Sequence, residues 1–174
     1  MKKIICSLAL VCTVLMNATA QKATVQKIWA TDTILKIPES VLVDDKENCL
    51  WVSNIDGASN GKDGKGSISK LSKTGAPINM DWVTGLNAPK GMAKYKQELY
   101  VADLTELVVI DIKKGVIKNK IKVEGSVFLN DVTVNKNGAV FVSDSRTGKV
   151  HRIENGIVSI EVENLQGPNG LLSI

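Results

Sequence analysis

The chain has 174 residues, a net charge of +4, 44% hydrophobic and 23% charged residues and only 4% aromatic residues. That balance fits a folded globular chain and excludes a disordered or fibrous one. The charge is too small for the positive field that nucleic acid or an anionic membrane would require, so no nucleic-acid partner is expected.

Residues 1–20 read as a secretory signal. Lys2 and Lys3 precede an apolar run from Ile4 to Met16, and Ala18-Thr19-Ala20 supplies small residues for cleavage. The mature chain would then begin at Gln21 and be periplasmic or secreted. The apolar run is too short to span a bilayer, and nothing later approaches the roughly 20 apolar residues that a spanning helix needs. Cys6 and Cys12 fall inside this signal, leaving Cys49 without an internal disulfide partner. Its apolar neighbourhood predicts a small buried side chain.

From residue 38 onward the chain repeats. Leu50-Trp51-Val52-Ser53-Asn54, Leu99-Tyr100-Val101-Ala102-Asp103 and Val140-Phe141-Val142-Ser143-Asp144 share one pattern. Each follows a second unit: Pro38-Glu39-Ser40-Val41, Pro89-Lys90-Gly91-Met92 and Leu129-Asn130-Asp131-Val132, with a further copy at Pro168-Asn169-Gly170-Leu171. Glu39, Lys90, Asn130 and Asn169 hold the same place in these four copies, and the first step is the longest. A period near 40 suits propeller blades or some helical repeats. The alternating apolar pattern decides for strands, because no long 3.6-residue periodicity follows the signal.

Within each repeat, polar turns follow the first strand at 44–48, 94–98 and 135–138. Asn137-Gly138 predicts a tight hairpin with positive φ at both turn positions. Third strands follow at about 67–75, 107–115 and 149–156, and fourth runs at about 80–84, 118–123 and 158–163. Four short antiparallel strands per repeat make an all-β chain with the β-propeller fold. Blade 1 is expected at about 38–84, blade 2 at about 89–123, blade 3 at about 129–163, and the innermost strand of a fourth blade at 168–174. Ile28-Trp29-Ala30-Thr31 resembles Trp82-Val83-Thr84 and reads as a further outermost strand. The whole amounts to about three and a half blades, a part of a propeller.

The innermost strands begin at one mouth of the central channel, which sets Glu39, Lys90, Asn130 and Asn169 at equivalent places in one ring. The longer first repeat carries a glycine-rich insertion, residues 55–66, that should return to this mouth. Its oxygen-bearing residues Asp56, Asn60 and Asp63 lack the spacing of a calcium loop, so it reads as a surface loop or a lid. His151, the only histidine, lies in a third strand and is expected to face the surface, which disfavours nucleophilic catalysis built on it. The carboxylate of Glu39 and the amides of Asn130 and Asn169 are hard oxygen donors suited to calcium or magnesium. Such an ion could support hydrolysis of an ester or lactone. The same residues are also ordinary turn formers.

Over roughly residues 28–171 these units resemble the gluconolactonase, regucalcin and luciferin-regenerating-enzyme superfamily, especially its secreted bacterial branch. The resemblance implies a six-bladed propeller with one divalent cation at the channel mouth, calcium first and zinc or magnesium as alternatives. It implies a metal-binding hydrolase acting on a small sugar lactone or related ester. Glu39 and Asn169 match metal ligands of that family, and Asn130 with Asp131 matches the position facing substrate and water. Lys90 stands where the family has no ligand, facing an anionic group of a substrate or nothing. The family's remaining ligand, a fifth-blade aspartate proposed as general base, has no counterpart before Ile174. The sequence therefore reads as a truncated propeller that is inactive as it stands, with its catalytic base unknown. The rival expectation is a non-catalytic propeller of the NHL-repeat type, presenting its loops to a protein or glycan partner.

Overall fold

A computed structural model describes residues 24–173. The expected signal, residues 1–20, lies outside them. Twelve strands, β1 (Pro38–Asp44), β2 (Cys49–Asn54), β3 (Gly66–Ser72), β4 (Pro77–Leu86), β5 (Pro89–Tyr95), β6 (Glu98–Asp103), β7 (Glu106–Asp111), β8 (Val116–Lys122), β9 (Leu129–Val134), β10 (Val140–Asp144), β11 (Lys149–Glu154) and β12 (Ile157–Val162), follow one another with no helix among the described residues. They form three four-stranded antiparallel sheets, β1 to β4, β5 to β8 and β9 to β12, each ordered as the chain runs. The protein is all-β, with the sheets arranged as consecutive propeller blades. Among the described residues no helix is long and apolar enough to cross a membrane.

The core lies between the blades, because each sheet's alternation sends apolar side chains to both faces. In β2 every residue is buried. Cys49 and Trp51 point to blade 2, joining Ile68, Val83, Leu86, Leu99 and Val101, while Leu50 and Val52 meet Leu71 on the other face. A second core joins Ala102 and Leu107 of blade 2 to Val132, Val140, Val142 and Ile153 of blade 3. Trp51 also stacks against Trp82, with ring centroids 4.1 Å apart. At roughly 25 cal/mol per Å² of apolar surface, these two seams are what join blade to blade. The innermost strand β5 lies against β1 on one side and β9 on the other.

The repeated Asp at the end of the second strand has a definite structural task. Asp103 accepts hydrogen bonds from the backbone N–H groups of Asn87 and Ala88, the residues just before β5. Asp144 does the same for Val127 and Phe128, just before β9. Each aspartate thus pins the chain as it enters its own blade's innermost strand, satisfying amides that would otherwise be lost to burial. In blade 1 the equivalent residue is Asn54. Its amide instead donates to Ser69 Oγ at 2.8 Å, and the backbone of Ile55 and Asp56 bonds to Ile37 and Lys36.

Three expectations need amendment. The 135–139 hairpin has positive φ at Gly138 (93°) and not at Asn137. Asn135 is the cause: its side-chain oxygen accepts from the N–H groups of both Asn137 and Ala139, closing a turn in which only the glycine takes positive φ. Residues 28–31 form no strand; among the described residues they make no backbone hydrogen bonds to a neighbouring strand, and the ring of Trp29 lies against Gly75 instead. Residues 168–173 likewise are not a strand, yet they run beside β9. Leu171 N–H donates to Asp131 Oδ2 at 2.6 Å and Ser173 N–H to Thr133 Oγ1 at 3.1 Å, a step of two on each side. Bonds to side chains replace the main-chain ladder that defines a strand.

Candidate functional site at the channel mouth

Glu39, Lys90 and Asn130 each stand second in their strands β1, β5 and β9, which are neighbours in that order, and Asn169 follows in the segment that runs beside β9. Two hydroxyls and a glycine control the spacing of these segments. Ser143 Oγ accepts the Asp131 N–H at 2.9 Å and donates to the Asn169 carbonyl at 2.8 Å, and Ser145 Oγ donates to the Pro168 carbonyl at 2.6 Å. The backbone carrying Asn169 is thereby fastened to β9 and β10. Between β5 and β9 the approach is closer still. A Cβ added at Gly91 would lie 2.3 Å from Asp131 Oδ1, 2.6 Å from its Cα and 2.8 Å from the Asn130 carbonyl oxygen. Only glycine lets the two strand heads meet in this way.

Asp44, Asp103, Asp144 and Asp131 have structural partners, and among the described residues Glu39 does not. Asp44 is buried, paired with Lys94 and bonded by the indole N–H of Trp51 at 3.0 Å. Asp103 and Asp144 hold backbone amides, as above. Burial raises the Asp103 carboxyl above its ordinary range despite the bonds from Asn87 and Ala88. Asp144 is also pushed up by burial, but the amides of Val127, Thr147 and Arg146 outweigh this and hold it below that range. Asp131 spends one oxygen on Leu171 N–H and sets the other against Gly91. Among the described residues Glu39 makes no ion pair and its side chain accepts no hydrogen bond. Its carboxyl is raised, first by loss of surrounding water, with Lys90 opposing and Asp131 reinforcing.

Lys90, unassigned from the sequence, is the least expected residue of the ring. It is only 2% exposed. Its ammonium donates to the carbonyl of Ser59 at 3.0 Å and of Ala88 at 3.4 Å, and sits 4.6 Å from the ring centroid of Phe128. Desolvation lowers its pKa, with Glu39 and Asp103 opposing at longer range. Ser59 belongs to the insertion, so residues 55–66 do return to this mouth. Lys62 donates to Thr105 Oγ1 at 3.0 Å, and Ile55 packs with Ala88, Leu104 and Phe128. The insertion is therefore folded over the entrance of blade 2. No local signal in Pro89-Lys90-Gly91 reveals this burial, because it is made by a loop that belongs to the preceding blade.

His151 is buried rather than surface-facing, at 2% exposure, and its Nε2 has no hydrogen-bond partner. The β11–β12 register slips between Val150 and His151, so both adjacent residues are enclosed. Burial lowers its pKa, with Asp144 opposing. It stands apart from the mouth. A cavity of about 720 Å³ also lies away from it, at the far ends of blades 2 and 3 between Tyr95, Tyr100, Ile121 and Ile153. There Glu98 is committed to Tyr100 and Lys118, so that cavity offers no free carboxylate comparable with Glu39.

Among the described residues, no three His, Cys, Asp or Glu side chains converge to hold a metal by themselves. A cation at the mouth would depend on Glu39 together with amide oxygens of Asn169 and Asn130. One carboxylate with neutral oxygens is a donor set that suits a hard cation such as calcium.

No family model and no curated protein matches the chain. Solved structures do. A gluconolactonase from Xanthomonas campestris is similar over 78% of this chain and 50% of its own, at 15% identity and a TM-score of 0.61. A nidogen/laminin complex is similar over 76% of this chain and 48% of the other, at 16% identity and a TM-score of 0.60. Hydrazine synthase from Kuenenia stuttgartiensis is similar over 83% and 41%, at 18% identity and a TM-score of 0.59. At these identities the likeness is one of propeller fold, and the chain spans half or less of the length of each of these three structures.

Proposed function

We propose that this chain supplies the cation-binding mouth of an exported, metal-dependent propeller hydrolase acting on a small sugar lactone or related ester. The observation that carries the reading is the sorting of the acids: Asp103, Asp131 and Asp144 are each bonded into the fold, while among the described residues Glu39 has no partner and Asn169 is exposed. In this reading Glu39 and Asn169 hold the ion, calcium first and zinc or magnesium as alternatives. When bound, a divalent cation supplies Lewis-acid polarisation of a carbonyl and acidifies a water. Asn130 orients substrate or water, and Asp131 acts with it by fixing the separation of the two strand heads. Support for the lactonase class comes from the family resemblance and from a gluconolactonase being among the structures that share the fold.

Calorimetric titration with calcium, and separately with zinc, of the wild-type protein and Glu39→Ala tests the ion site. At least a tenfold loss of affinity in the variant is expected, and equal affinity in both proteins would refute the assignment.

A second reading, a non-catalytic propeller that binds a protein or glycan, is favoured by the ordered attachment of residues 55–66 through Lys62 and Lys90. A propeller within a protein complex shares the fold. No turnover with a panel of lactones and phosphate esters, together with partner capture that is lost on deleting 57–64, would select this reading.

A further inference from the structure

Phe128 sits immediately before β9, at the same mouth, and two cations converge on its ring. Lys90 Nζ lies 4.6 Å from the centroid and the Arg146 guanidinium carbon 5.5 Å from it. Arg146 follows β10 in the loop that opens at this mouth, and its side chain is exposed. Neither cation forms an ion pair among the described residues. For Arg146 that costs little, since water serves it. For Lys90 it is anomalous: even the half-buried head of Lys94 is matched by Asp44. A buried ammonium facing only carbonyl oxygens and a ring is partly compensated, by hydrogen bonds and by the cation–π attraction, but its charge is not neutralised.

The groups that face Lys90 do not supply a counter-charge. Asp103, behind it, is bound by the amides of Asn87 and Ala88. Glu39, across the ring, acts on it only at longer range. Of its three N–H donors, two go to Ser59 and Ala88, leaving one unassigned. Two unpaired cations on one ring repel each other unless an anion lies near both.

We infer that Lys90 and Arg146, placed around Phe128 beneath residues 55–66, form an anion subsite that takes a carboxylate or phosphate group of the ligand. The inference rests on the reading of this mouth as the ligand-binding face, and it narrows the ligand class to an anionic one. Lys90 is the buried anchor, and Arg146 is the exposed arm that closes on the anion with its planar donor fork. The glycine-rich insertion, held by the Ser59 carbonyl on the same ammonium, would sense occupancy directly, because an incoming anion competes for that N–H.

The test is a two-dimensional amide NMR titration with inorganic phosphate and, separately, with acetate, in EDTA so that no divalent cation participates. Sodium chloride of matched ionic strength is the control. Saturable shifts at Ser59, Phe128 and Arg146 are expected in the wild-type protein, with affinity falling at least fivefold in Lys90→Met and in Arg146→Gln. Lys90→Met keeps the length of the buried stem, and its dispersed spectrum establishes that it is folded. A stronger response to phosphate than to acetate identifies a phosphorylated ligand and the reverse a carboxylate. Shifts that chloride reproduces, or affinities unchanged in both variants, would overturn the inference. Because metal is absent, failure here leaves the calcium titration of Glu39→Ala as an independent test of the cation site.

Discussion

Replacing Gly91 with alanine puts the closest contact of the candidate site under direct load. Two effects oppose each other. Alanine in place of a strand glycine ordinarily gains about 0.5–1 kcal/mol, since the unfolded chain has less freedom to lose. Here the new methyl would meet Asp131 Oδ1 at 2.3 Å, Asp131 Cα at 2.6 Å and the Asn130 carbonyl oxygen at 2.8 Å. Two of these three atoms belong to the backbone, so a change of side-chain rotamer cannot relieve the clash and β5 must move away from β9. Overpacking of this kind costs about 1–3 kcal/mol. Displacing Asp131 also weakens its bond to Leu171 N–H, worth on the order of 1.5 kcal/mol for a charged acceptor. The net expectation is a loss of about 2 kcal/mol, which at a urea dependence of about 2 kcal/mol per M lowers the midpoint by about 1 M. Adding Asp131→Ala removes the 2.3 Å contact and leaves the two backbone ones, so the double variant should stay below wild type. Urea unfolding followed by tryptophan fluorescence measures both. A midpoint for Gly91→Ala at or above that of wild type would refute the tight seam, and with it the argument that this glycine sets the spacing of Asn130 against the mouth.

Asp44→Ala should cost about 3 kcal/mol, because it strands the Lys94 ammonium and the Trp51 indole N–H in the seam between blades 1 and 2; adding Lys94→Met should restore much of this in the same urea assay. His151 is held neutral by burial, so its folded pKa lies below the unfolded value of about 6.5 and its contribution is present above that pH. Wild-type stability should therefore fall as pH drops below about 6.5 toward the depressed folded pKa, while His151→Leu should lack the decline in that window; parallel urea midpoints from pH 5 to 8 decide it. Cys49 is fully enclosed and burial pushes its thiol up, so labelling with an aromatic disulfide reagent, read by peptide mass spectrometry, should follow global unfolding. Rapid modification of Cys49 under native conditions would contradict the packing of the first seam.

The twelve strands and their order were legible in the sequence because they depend on local patterning. Alternation with period two marks β2, β6 and β10, and the regular recurrence of these units implies equivalent positions in successive blades. Glu39, Lys90 and Asn130 could be aligned on that basis without any knowledge of contacts. What each residue does at its position was not legible, because that depends on groups distant in sequence. Asp44, Asp103, Asp131 and Asp144 are chemically alike, and only packing assigns them to a lysine and an indole, to entering amides, or to the inter-blade seam. Lys90 reads as an ordinary lysine of the channel mouth until a loop from the preceding blade places a carbonyl on its ammonium. His151 reads as a surface residue until a register slip encloses it. A repeat dictates equivalence of backbone position, whereas the electrostatic role of a side chain is decided by the distant residues that displace its water. At this mouth that difference separates Glu39, Lys90 and Arg146, which make no ion pair among the described residues, from the aspartates that hold the fold together.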